Sequence, residues 1–203
     1  FDKSRSAGKE QMYADTMKYY VLTSLLICLG MILFIDIIKL LIHESYWSGL
    51  VVVPIVLFSY LFQGIYSNLS IWYKLTDKTY YGFIISAIGL VINVLLLWFL
   101  VPRLGLIGAG FASFGAFFTM MLISYLLGNK YMPLPYDLRK FGAYLLLTMA
   151  LLVINHFAVT PLVWVNYSIK VALLLIFVAY LVKKDLPLAT LPFIGKYFKR
   201  IND

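Results

Sequence analysis

The sequence predicts an all-α membrane protein that crosses the bilayer six times, as three antiparallel helical hairpins. Three observations carry that expectation. Of the 203 residues, 63% are hydrophobic and only 13% charged, and mean hydropathy is +0.90. Soluble domains run near half apolar and a quarter charged, so this chain cannot clothe its apolar surface and needs lipid as its solvent. Second, six runs each reach the roughly 20 residues that a helix needs to cross a hydrocarbon core about 30 Å thick. Third, Lys and Arg alternate sides along those runs.

The six runs are 19–42, 50–73, 80–101, 106–127, 141–159 and 162–182. Between them lie "HESYWSG", "KLTDKT", "VPRLG", "GNKYMPLPYDLRK" and "AVTP", short links rich in turn residues. Links that short join antiparallel neighbours. Lys3, Arg5, Lys9 and Lys18 precede the first run, Lys74 and Lys78 follow the second, and Lys130, Arg139 and Lys140 follow the fourth. The tail adds Lys183, Lys184, Lys196, Lys199 and Arg200. These are 14 of the 17 basic residues, and the other side holds Arg103, with Lys39 and Lys170 near helix ends. By the positive-inside rule both ends are expected in the cytoplasm.

The same asymmetry accounts for the net charge of +8 without a nucleic-acid partner. Cys28 is the single cysteine, which excludes an intrachain disulfide. The sequence starts at Phe1 without the basic stub and cleavage site of a signal peptide. It therefore reads as the C-terminal piece of a longer protein, with its N-terminal half missing.

Within the first run, "GMILFIDIIKLLIHESYW" places Asp36 and Lys39 one turn apart on a shared face. An intramembrane acid and base raise an ion-coupling site by default. Counted from the cytoplasmic side, however, Asp36 falls in the outer quarter and Lys39 at the boundary, where lysine snorkels to water. The interfacial reading is favoured for both, and for Lys170, about six residues inside the outer end of the sixth run.

In the second run Ser59, Gln63, Tyr66, Ser67 and Ser70 recur at i, i+4, i+7, i+8 and i+11, one face of a helix. Lipid cannot satisfy such a stripe, so it faces a wet cavity or hydrogen-bonds to other helices. Asn93 in the third run carries the same two readings. Pro54 removes a backbone bond and is expected to bend the second run. In "PRLGLIGAGFASFGA", Gly105 and Gly108 open the fourth run, and Gly108, Ala112 and Ala116 recur every four residues. That spacing lets helix backbones approach closely. The glycine spacing also mimics a dinucleotide fingerprint, but no strand precedes it.

His43 and His156 are the only histidines, and no cluster has metal-ligand spacing, so neither a metal nor a cofactor is expected. Nor is there a nucleophile or phosphate-loop pattern. In the tail Phe193, Ile194, Tyr197, Phe198 and Ile201 share a face opposite Lys196, Lys199 and Arg200. This predicts an amphipathic helix on the anionic cytoplasmic leaflet.

The stretch "IIKLLIHESYWSGLVVVPIVLFSYLFQGIYSNLS", then Asn93, "VPRLGLIGAGFAS" and "GNKYMPLPYD", resembles the C-terminal half of bacterial polysaccharide-biosynthesis flippases. These belong to the multidrug/oligosaccharidyl-lipid/polysaccharide exporter superfamily. The likeness covers residues 1–137, with Pro102-x-x-Gly105-x-x-Gly108-Ala109 its most specific piece. It implies two six-helix bundles around a cavity. Residues 1–18 would be a cytoplasmic lead-in and 19–127 a four-helix part of the second bundle. Residues 128–182 would be two additional helices, and 183–203 the basic tail. The implied activity is moving undecaprenyl-pyrophosphate-linked oligosaccharide to the periplasmic leaflet of the bacterial inner membrane. The implied partners are the lipid-linked oligosaccharide, the phospholipid bilayer and polysaccharide-assembly membrane proteins, with no enzymatic step. The stripe with Asn93 would then line the cavity.

Within transporters, a cation-coupled multidrug exporter or a lipid II flippase is the alternative. The former would favour an acid at mid-depth, and none is present. A membrane glycosyltransferase or polymerase would show large outer loops or acidic pairs, and the outer loops here are short. A structural membrane subunit is the remaining class.

Overall fold

The computed structural model describes residues 2–158 and 162–184. The amphipathic helix expected in the tail lies outside the described residues, as does most of the "AVTP" link. Among those described there is no strand. Six helical stretches are long and apolar enough to cross a membrane: Glu10–Leu33, Glu44–Leu75, Tyr80–Leu104, Leu106–Tyr131, Leu138–Phe157 and Val163–Lys184. The chain is an all-α, multi-pass membrane protein.

Its helices are α1 (Asp2–Leu33), α2 (Ile35–Leu40), α3 (Val53–Leu69), α4 (Ile71–Leu75), α5 (Tyr80–Leu104), α6 (Leu106–Tyr131), α7 (Leu138–Phe157) and α8 (Val163–Lys184), with a 3₁₀ segment over Glu44–Val52. The chain divides into two compact units, Phe1–Tyr144 and Leu145–Asp203. The division falls inside α7.

The first unit is built around α6, which packs against α5 on one side and α3 on another, while α3 packs against α1. With α5 it forms an antiparallel hairpin: Gly108 meets Leu100, Gly115 meets Leu96, and Gly89 meets Met120. Gly105 turns the chain with φ +57°, a region where a Cβ would be strained. The links therefore give hairpins, yet the helix beside α3 is α6, running parallel to it. Near its start Gly110 faces Val52 and Ile55, and near its end Trp72 meets Gly128 and Tyr131. Between lipid-facing helices there is little hydrophobic drive, so close packing of small residues and aromatics holds them. Ala112 and Ala116 are fully buried on α6, and Phe62 of α3 makes edge contacts with Phe114 and Phe118. On α1 the buried residues Ala14, Met17, Val21, Leu25 and Cys28 recur at three and four. The Tyr20 hydroxyl occupies the space that a side chain at Gly64 would need.

Two expectations on the chain path are corrected. The first run does not continue as one helix to residue 42. Its ladder breaks at Phe34 (φ −103°, ψ 25°) and resumes where Ile37 and Ile38 both donate to the Phe34 carbonyl. Pro54 does not bend a helix, because it stands in the first turn of α3, where its missing N–H would have had no intrahelical partner.

Asp137 starts α7. Its Oδ1 accepts from the Lys140 backbone N–H at 3.2 Å, and its Oδ2 lies 3.3 Å from the Lys140 ammonium. The Lys140 amide and then its ammonium hold the Asp137 carboxyl below its ordinary range. A depressed folded pKa means the cap stabilises fully above the unfolded value, roughly 3.9, and fades as pH falls through the folded one. Protection of the Lys140 amide from hydrogen exchange, taken relative to an unstructured chain at the same pH, is thus expected to fall only below about pH 4. Protection that stays unchanged there would show that the cap does not hold this turn. Next to it, burial pushes the Tyr136 hydroxyl up to about 12.

Candidate functional site: a polar face at mid-membrane

The second span runs from the 3₁₀ segment through α3 and α4. Gln63 lies 11 residues before Lys74, about 16 Å at 1.5 Å per residue and close to the middle of a 30 Å core. Asn93 of α5 lies 10 residues before Arg103, about 15 Å by the same rise.

The stripe read from the sequence divides when its neighbours are known. Ser59 is buried, and its hydroxyl donates to the Ile55 carbonyl at 2.8 Å. Ser70 is also buried and donates to the Ser67 carbonyl. Both are satisfied by their own helix, so they face the packed interior rather than a cavity. Gln63 and Ser67 are exposed, as is Tyr60 one turn before Gln63. Tyr66 reaches α5, where its hydroxyl lies 3.4 Å from the exposed Ser86 Oγ. Asn93 stands seven residues beyond Ser86, on the same side of α5, and is half-buried. Among the described residues neither Gln63 nor Asn93 has a side-chain hydrogen bond, so the two do not tie α3 to α5. The geometry is a polar face of amide and hydroxyl groups that α3 and α5 turn outward at mid-depth. Such a face can exchange hydrogen bonds with water or with the hydroxyls of a cargo, but it has no acid, base or nucleophile for covalent chemistry.

The charged candidates lie elsewhere. Asp36 is exposed on α2. Lys39 sits over the Trp47 ring at 4.0 Å, while the Trp47 indole N–H donates to the Lys39 and Ile42 carbonyls at 3.2 and 3.1 Å. The indole thereby closes the end of α2 and binds its lysine. Lys170 of α8 is only 5% exposed, with its ammonium 5.3 Å from the Tyr167 ring. Gly105 and Gly108 stand at the α5–α6 turn, away from the polar face, and among the described residues no group of His, Cys, Asp and Glu could hold a metal ion.

Sequence reasoning missed one cluster. At the end of the unit marked by Lys74, Lys78 and Lys130, the Trp72 ring stacks on Tyr131 with centroids 5.4 Å apart and meets Tyr81 at 5.3 Å. The Trp72 indole donates to Ser124 at 3.3 Å, the Tyr81 and Tyr131 hydroxyls lie 2.8 Å apart, and Lys78 caps the Tyr131 ring at 3.9 Å. The available signal was two aromatic pairs, Trp72–Tyr73 and Tyr80–Tyr81, and the single Tyr131, each beside a basic link, the pattern of a membrane-interface belt.

Comparison with protein-family models, with curated proteins and with solved structures returned no match for this chain.

Proposed function

We propose that this chain is part of a membrane transporter, not an enzyme. It moves lipid-linked oligosaccharide across the bacterial inner membrane, from the cytoplasmic to the periplasmic leaflet, with both described ends of the chain in the cytoplasm. The observation that carries the reading is the outward polar face of Gln63, Ser67, Tyr66–Ser86 and Asn93 at mid-depth. Unpaired amides are costly against hydrocarbon, so this face borders water and a hydrated cargo. Sugars are recognised through many neutral hydrogen bonds, which amides and hydroxyls supply. The resemblance to polysaccharide flippases and the skew of basic residues toward one side support the same reading. A cation-coupled drug exporter fits less well, since Asp36 lies beyond the end of α1 rather than at mid-depth.

Export assays on Gln63→Leu test it. The variant is expected to reach normal levels in the membrane while surface polysaccharide falls and lipid-linked oligosaccharide accumulates on the cytoplasmic side. Asp36→Asn serves as the control that leaves export unchanged. Normal export by Gln63→Leu would overturn the transport reading of this face.

A further inference from the structure

The first unit holds a cavity of about 250 Å³ that is separate from the polar face. One wall is the early part of α1, and the other is the α6–α7 link with the first turn of α7. Both walls are places where a span begins, at Glu10 for the first and Leu138 for the fifth. The cavity therefore lies at the depth of lipid headgroups.

Each wall brings one carboxylate and one ammonium group. Asp15 and Lys18 stand one turn apart on α1, and Asp137 and Lys140 one turn apart at the start of α7. Asp15 accepts from the Gln11 side-chain amide at 3.2 Å. Asp137 keeps Oδ1 on the Lys140 backbone N–H and has Oδ2 beside the Lys140 ammonium at 3.3 Å. Exposed pairs of this kind are worth little by themselves, so their exchange for a ligand costs little.

That lining selects its occupant. An anion alone would meet two carboxylates and a cation alone two ammonium groups, so the ligand that fits carries both signs. The volume falls below the roughly 300–1,000 Å³ of drug-sized sites, which suits a small headgroup. Quaternary ammonium groups are held by aromatic cages, whereas of the described lining residues only Phe141 is aromatic. Carboxylates instead accept N–H bonds from a primary ammonium.

We infer that this cavity binds the headgroup of phosphatidylethanolamine, with the ammonium on Asp15 and Asp137 and the phosphate on Lys18 and Lys140. The bound headgroup bridges α1 and the start of α7. This site is independent of what the polar face transports.

Calorimetric titration of the detergent-solubilised full chain tests it. The probes are dihexanoyl phosphatidylethanolamine, phosphatidylcholine and phosphatidylglycerol, together with O-phosphoethanolamine. Phosphatidylethanolamine is expected to bind about tenfold more tightly than the other two lipids, the scale of one hydrogen bond to a charged group. Asp15→Asn and Lys18→Gln should each weaken it about tenfold, and Lys130→Gln, outside the cavity, should leave it unchanged. Equal affinity for phosphatidylcholine would show that the carboxylates do not read N–H donors. Equal affinity for phosphatidylglycerol would show that no ammonium is read, and either result overturns the assignment. O-phosphoethanolamine binding as tightly as the lipid would overturn the lipid source. Unchanged affinity in both Asp15→Asn and Lys18→Gln would overturn the site. Should those variants fold poorly, the ranking of the four probes on the unaltered chain decides alone.

Discussion

Gly108→Leu is expected to abolish most of the folded protein recovered in mild detergent. A Cβ at Gly108 would run into the Leu100 carbonyl oxygen and lie 2.6 Å from its carbon and 3.0 Å from the Val101 nitrogen. These are backbone atoms, which cannot swing aside as a side chain does. The hairpin would have to open where α5 and α6 are closest, and overpacking of that kind costs about 3 kcal/mol or more. Gly142, with nothing near its Cβ position, is the control: Gly142→Ala should fold normally. A well-folded but inactive Gly108→Leu would mean that this contact serves transport rather than assembly.

Trp72→Ala is expected to have the second large effect. Trp72 is 1% exposed and touches α5 through Tyr81 and α6 through Tyr131 and Gly128. Removing it leaves a void between three helices and strips the Ser124 hydroxyl of its donor. Large aromatic deletions cost roughly 3 kcal/mol or more, so thermal unfolding in detergent should shift down by several degrees. Trp72→Phe keeps the stacking and loses only the hydrogen bond, about 1 kcal/mol. Equal shifts for the two variants would show that the indole N–H, not the packing, holds the cluster.

Much of this architecture is legible in the sequence, for physical reasons that set its limits. Spans are readable because lipid imposes length and hydropathy together, and the α5–α6 turn because Gly105 adopts a conformation that other residues avoid. The break at Phe34 is not readable, since apart from Asp36 and Lys39 the run stays apolar through Ile42, with no proline or glycine at the break. Pro54 looked like an interior kink because Leu50 to Val53 before it are as apolar as the helix that follows, so the run reads as starting at Leu50, before α3 does. Link length showed which helices follow one another but not which pack: α3 rests on α6 through Gly110 and Phe62, contacts more than 40 residues apart in sequence. The polar stripe was visible as a period, but its members diverge because a buried serine can bond to its own helix, as Ser59 and Ser70 do, whereas the longer Gln63 side chain is left exposed. The aromatic cluster depends on Trp72, Tyr81 and Tyr131 meeting, which no local pattern encodes.

The central claim is that the α3 face borders water in the middle of the membrane, and accessibility of residue 63 tests it most directly. In a Cys28→Ala background, Gln63→Cys and Val91→Cys are each exposed to a small, charged, membrane-impermeant thiol reagent. Val91 is 57% exposed and, five residues from Ser86 and two from Asn93, lies on the other side of α5 from both; it stands for the lipid-facing surface. Rapid labelling at position 63 and none at position 91 is the expected result. Position 63 remaining as unreactive as position 91, with both variants folded in the membrane, would contradict it.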